Sequence, residues 1–159
     1  MSLALVAATL LGGPAFLSVP YVPQRAEGCG AAALTMVLRY WGRPVLHDEV
    51  AAQLAEKELR GTSGSRLAAV AEAEGLRAVA VRGDRALLDD ALARRRPVVV
   101  ALDEGGRILH DVVVVGLDAR AVVVHDPARG AARRLSWPRF ERRWSAAGSW
   151  TLVVAPPAP

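Results

Sequence analysis

Gln24-Arg25-Ala26-Glu27-Gly28-Cys29-Gly30-Ala31-Ala32-Ala33-Leu34-Thr35-Met36-Val37-Leu38 is the stretch of this 159-residue chain from which the fold can be read. Glycines on both sides of Cys29 let the backbone turn sharply, and the Ala/Leu/Met run that follows is strongly helix-forming. The thiol therefore falls on the first turn of a helix. Unpaired backbone N–H groups and the positive end of the helix dipole favour a thiolate there, and a thiolate is the nucleophilic form. Cys29 is the only cysteine, which excludes an internal disulfide framework and any multi-cysteine metal site. A single cysteine in an alanine-rich chain is also the pattern of a small buried hydrophobe. The case for chemistry rests on what the rest of the chain supplies.

Upstream, Val19-Pro20-Tyr21-Val22-Pro23 reads as an extended entry, because proline excludes helix and biases the residue before it to extended geometry. Downstream, the first helix should run from Cys29 to Tyr40 and stop at Gly42 and Pro44. A second helix is expected over His47 to Glu58. A loop at Gly61-Thr62-Ser63-Gly64 and a third helix from Ser65 to Glu74 follow. Leu76 to Arg82 alternates as a strand, and Asp84 caps a helix to Arg95. The rest is β-rich. Strands are expected at Val98–Leu102, Val112–Leu117, Ala121–Val124, Arg133–Ser136 and Trp150–Val154, with a helix over Trp137–Trp144. Helices first and an antiparallel sheet after them make an α+β fold.

The β-rich third carries the partners that a reactive thiol needs. His110 stands at the entrance of His110-Asp111-Val112-Val113-Val114-Val115-Gly116, and the next strand ends at His125-Asp126-Pro127. The two strands are joined at Asp118-Ala119-Arg120, a hairpin signal. In an antiparallel pair the start of one strand lies beside the end of its partner, so His110 and Asp126 are expected close together. Asp111 adjoins His110 but points to the other sheet face, and Asp118 lies in the far turn. A thiolate attacks a carbonyl, an imidazole holds it and protonates the leaving amine, and a carboxylate orients the imidazole. Cys29, His110 and Asp126 supply those groups in Cys…His…Asp order. Gln24 can place a side-chain amide beside the Cys29 backbone N–H and form an oxyanion hole.

The residues Gln24…Cys29-Gly30-Ala31-Ala32-Ala33-Leu34-Thr35-Met36-Val37-Leu38-Arg39-Tyr40-Trp41-Gly42 resemble the cysteine motif of the bacteriocin-processing, double-glycine cysteine peptidases. His110 to Gly116 and Asp126-Pro127-Ala128-Arg129-Gly130 resemble that family's histidine and aspartate motifs, and the likeness extends over residues 19–154. The resemblance implies a papain-like fold, with Gln24 as oxyanion donor, Cys29 as nucleophile, His110 as base and Asp126 as orienting group. It also implies a peptide or protein substrate cut after Gly-Gly in a leader peptide, no cofactor, and an ABC-type transporter as a separate partner subunit. Two positions depart from the family pattern. Asp111 follows His110 where an aromatic or apolar residue is usual, and Gly28 precedes Cys29 where an acidic residue is common. Two other readings share these residues: a non-catalytic peptide-binding domain of the same fold, and an acyl-transferring enzyme such as a transglutaminase or amidase.

Composition narrows the remaining classes. Hydrophobic residues are 52% and charged residues 23%, a globular balance. Net charge is +4, with nineteen arginines and the single lysine Lys57. The basic residues are scattered and few aromatics lie among them, so no nucleic-acid platform is expected. His47 reads as a solvated residue at a helix start, and His125 as structural because it alternates with Asp126. That alternation also argues against metal binding by His110, His125 and Asp126. Trp137, Phe140 and Trp144 at helical spacing read as core. Residues 1–18 form an apolar N-terminal segment, a candidate signal peptide that lacks a basic residue ahead of its apolar run. The balance favours an exported or membrane-associated protein over a cytoplasmic one and leaves membrane association open. The peptidase domain is expected over 19–154, and 155–159 is a Pro-rich tail.

Overall fold

Small and apolar residues fill the first helix on every side, so it can be covered all round. In the computed structural model, which describes residues 16–26, 28–56 and 63–159, α1 (Cys29–Tyr40) is buried continuously from Ala31 to Leu38. α2 (His47–Glu56) and α3 (Ser63–Ala73) pack against it and against each other. The strands then alternate with two further helices: β1 (Arg77–Arg82), α4 (Arg85–Ala93), β2 (Val98–Asp103), β3 (Leu109–Leu117), β4 (Ala121–Asp126), β5 (Gly130–Ser136), α5 (Trp137–Ala146) and β6 (Trp150–Ala155). All pairings are antiparallel, in the order β1-β6-β2-β3-β4-β5. This is the α+β arrangement that the sequence order implied, consistent with the papain-like fold that the resemblance implies.

β2 and β3 lie in mid-sheet with helices on both sides, which is why their valine runs do not alternate with polar residues. α1 packs on β3, while α5 packs on β2, β4 and β5. The pleat places Asp111, Val113 and Val115 on the α1 face. His110, Val112 and Val114 share the opposite face with Val124 and Asp126, as the register Val114↔Val124 requires. Trp137, Phe140 and Trp144 of α5 are buried there and stack edge-on or tilted, as core residues. Asp84 caps α4 by accepting the Leu87 N–H at 2.8 Å.

The structure corrects several sequence expectations. β3 begins at Leu109 rather than Val112, because β2 continues to Asp103 and pairs with it. His110 is thus within the strand, opposite Leu102, and not at its entrance. α3 starts at Ser63, two residues early. Gly64 lies under the Trp150 indole, where an added Cβ would come within 2.7 Å of the ring. His47 is buried rather than solvated, because Leu46 takes the solvent side at the start of α2. The His47 Nδ1 lies 3.4 Å from Asp48 Oδ1, and its Nε2 has no partner among the described residues. The expected end of the second helix at Glu58, and Gly61 and Thr62 of the loop, lie outside the described residues, as do residues 1–15 of the apolar segment. Phe16 forms an antiparallel bridge with Gly116, and the Leu17 N–H donates to the Val115 carbonyl at 2.7 Å. Among the described residues no helix is long and apolar enough to cross a membrane.

Candidate active site

Cys29 is the first residue of α1. Gly28 before it has φ +93°, a conformation that side chains with a Cβ rarely adopt, so glycine is needed for the turn into the helix. No side chain caps this helix start. Its first N–H groups therefore remain available to a ligand at the thiol. The Cys29 Sγ accepts the backbone N–H of Asp111 at 3.3 Å, which fixes the sulfur against β3.

His110 bridges the thiol and a carboxylate. Its Nε2 lies 2.7 Å from Asp126 Oδ1, and the ring is near enough to Cys29 for the thiol to act on its charge. Burial pushes the imidazole toward its neutral form. The neighbouring Cys29 and the hydrogen-bonded Asp126 outweigh it and raise the group from 6.5 to about 9. The geometry therefore favours an imidazolium at neutral pH.

Asp126 is buried at the end of β4, and β5 continues from its turn. Burial pushes its carboxyl up, and it is nonetheless held below the usual carboxylate range by His110, the Ala128 N–H and Arg129. Oδ1 accepts the N–H groups of Ala128 at 2.9 Å and Arg129 at 3.2 Å, and Oδ2 accepts the Arg129 guanidinium at 3.1 Å. Arg129 also donates to Glu104 at 2.8 Å, and Arg143 reaches the other oxygen of Glu104. This chain fixes the carboxylate from behind. Arg129 falls within the Asp126-Pro127-Ala128-Arg129-Gly130 motif, where local pattern alone assigns it no role. Its spacing of three residues, across a Pro-containing turn, was the available signal. Glu104 and Arg143 come from other elements, and no local pattern marked them.

Gln24 is exposed, and its backbone N–H donates to the Pro127 carbonyl at 2.9 Å, one residue beyond Asp126. The entry segment is thereby tied to the Asp126 turn, a link that Tyr21 reinforces by donating to the Asp126 carbonyl at 2.9 Å. The Gln24 side chain makes no hydrogen bond among the described residues. His125 is structural: its Nε2 lies 2.8 Å from the Val19 carbonyl, and its Nδ1 accepts the Ala132 N–H at 3.0 Å. Among the described residues no group of three or more His, Cys, Asp or Glu is placed to hold a metal ion.

A cavity of about 700 Å³ opens beside the thiol, lined by Cys29, Gly30, Leu54, Arg66, Asp111 and Trp150 among others. The face to which Asp111 points is the α1 face, so its side chain is in the cavity with the nucleophile rather than away from it. Burial raises the Asp111 carboxyl to about 6, against a smaller lowering by His110.

Residues 18–158 match the Peptidase C39 family. The chain belongs to that family. Its sequence is 33% identical over 129 residues to the transport/processing ATP-binding protein ComA of Streptococcus pneumoniae. It is 29% identical over 132 residues to the pediocin PA-1 transport/processing ATP-binding protein PedD of Pediococcus acidilactici. Each match covers 80% of this chain but 17% of the relative, so the likeness concerns one part of those longer proteins. Among solved structures, a C39-like peptidase from Bacillus anthracis superposes with TM-score 0.76 at 19% identity, covering 93% of this chain and all of that one. A double glycine motif protease from an AMS/PCAT transporter, solved with its leader peptide, superposes with TM-score 0.71 at 23% identity, covering 91% of this chain and 98% of that one. The solved structures carry the fold, and the family is that of the C39 peptidases.

Proposed function

We propose that this C39 peptidase cleaves leader peptides after a Gly-Gly pair, with Cys29 as nucleophile, His110 as proton carrier, Asp126 as orienting group and Gln24 as oxyanion donor. The observation that carries the reading is the position of His110, 2.7 Å from Asp126 and next in the chain to Asp111, whose N–H donates to the Cys29 sulfur at 3.3 Å. The thiolate attacks the carbonyl carbon, and the negative charge that forms on the oxygen meets the first N–H groups of α1 and the Gln24 amide. Imidazolium gives its proton to the leaving amine as the tetrahedral species collapses to a thioester. Neutral His110 then takes a proton from water, hydroxide attacks the thioester, and the thiolate and imidazolium are restored. Asp126 keeps the ring aligned through both steps.

Glycine before the scissile bond suits this reading because a backbone without Cβ can approach the thiol closely. The test uses matched leader peptides carrying Gly-Gly, Gly-Ala or Ala-Ala before one cleavable bond. Tenfold or greater preference for Gly-Gly, about 1.4 kcal/mol in the transition state, is expected. Indifference among the three would overturn the double-glycine assignment. Gln24→Ala should lower kcat by about 10²–10³ with little change in KM, the signature of a group that acts only on developing charge. A change confined to KM would make Gln24 a substrate contact instead. An ABC-type transporter subunit is the partner proposed with this substrate. The apolar residues 1–18 add an exported or membrane-associated location to the proposal. Cell fractionation and co-purification test both, and recovery in the cytosolic fraction without a transporter would contradict them.

A further inference from the structure

The carboxyl of Asp111 has no role in the reaction as described, yet it shares the cavity with the nucleophile. Its backbone N–H holds the Cys29 sulfur, so the carboxyl is within one residue's reach of the thiolate. Its Oδ2 lies over the first turn of α1, where a Cβ on Gly30 would come within 3.1 Å of it. Among the described residues this carboxyl makes no hydrogen bond and no ion pair. His110 is the charged group that acts on it, and Arg66, the other charged residue of the lining, has a partner of its own. A half-buried carboxylate without a donor is costly unless a ligand supplies one. The rest of the lining is apolar or small, including Gly30, Ala51, Ala55 and Ala101, and the cavity of about 700 Å³ has room for a long side chain. A long apolar stem with a cation at its end satisfies both the lining and the carboxylate.

We propose that Asp111 is a specificity-determining residue whose carboxylate receives a lysine or arginine side chain of the substrate, carried a few residues upstream of the scissile bond. This deepens the peptidase reading and rests on it for the position of the bond. It adds a charge requirement that glycine selectivity does not contain.

The first measurement is kcat/KM for Gly-Gly peptides in which lysine, norleucine or glutamate is placed in turn at the third to sixth positions before the scissile bond. At one position lysine should exceed norleucine by tenfold or more, with glutamate poorest. Asp111→Asn, nearly the same shape, should bring the lysine-to-norleucine ratio within twofold of one while still cutting the norleucine peptide. Equal rates for lysine and norleucine at every position, or a ratio unchanged in Asp111→Asn, would overturn the inference. It would then reduce Asp111 to a partner of the α1 terminus.

The second measurement needs no cleavage and decides the matter if no Gly-Gly peptide is cut, an outcome that would itself count against the double-glycine reading. Cys29 is labelled with cationic ethylammonium and anionic ethylsulfonate methanethiosulfonates, and the two rates are compared. The cation-to-anion ratio should fall at least fivefold in Asp111→Asn. An unchanged ratio would contradict a cation-accepting Asp111.

Discussion

At the scale of single residues, the proton on His110 sets the pH behaviour of the site. Its group is raised from 6.5 to about 9, so the imidazolium persists through neutrality and is lost as pH rises through the higher value. Acylation needs that proton for the leaving amine. The alkaline limb of kcat/KM should therefore fall near pH 9, and Asp126→Asn should move it to lower pH by removing an attracting charge. A wild-type limb near 6.5 would contradict the paired geometry. Asp126→Ala should cut turnover by about 10²–10⁴, because the ring loses its aligning acceptor. Asp118→Ala should leave turnover within twofold, since Asp118 pairs with Arg134 on the surface. Steady-state kinetics on both variants check this, and equal losses would mean that the orienting group is misassigned. Cys29, His110 and Asp126 were legible as candidates because hairpin pairing is a local rule that needs no tertiary information. His47 was not legible. Whether it faces α1 or solvent depends on how the chain enters α2, which its own neighbours do not encode.

At the scale of elements, boundaries were read well where a chemical stop exists. The span of α1 follows from Gly28 and Gly42, and α4 from the Asp84 cap. Boundaries set by a partner were read less well. β3 gained Leu109, His110 and Asp111 because β2 pairs with them, and α3 gained a first turn beneath Trp150. That contact yields a prediction. Gly64→Ala would drive a Cβ to 2.7 Å from the Trp150 ring, and the rigid indole must shift to relieve it. Overpacking of this kind costs about 1–3 kcal/mol. Thermal denaturation should show a lowered Tm, with reduced peptidase activity because both residues line the cavity. A wild-type Tm would mean that α3 and β6 are not in that contact.

At the scale of the whole molecule, the site exists because three separate parts of the chain meet. α1 brings Cys29 against the backbone of β3 at Asp111, and the β3–β4 pair brings His110 and Asp126 together beside it. The entry segment is tied to the Asp126 turn through Gln24 and Tyr21. The sheet order, with β6 inserted between β1 and β2, could not be read from local pattern, because it depends on where the last strand returns. The arginine chain behind Asp126 depends on the same assembly, since Glu104 follows β2 and Arg143 lies on α5. The central claim is that this assembly makes Cys29 the nucleophile of a peptidase. Its most direct test is mass spectrometry of a leader peptide with a single Gly-Gly, incubated with the full chain and with Cys29→Ala. The account predicts a fragment ending in Gly-Gly with the wild-type chain and only intact peptide with the variant. Equal cleavage by Cys29→Ala, or an intact peptide in both, would contradict it.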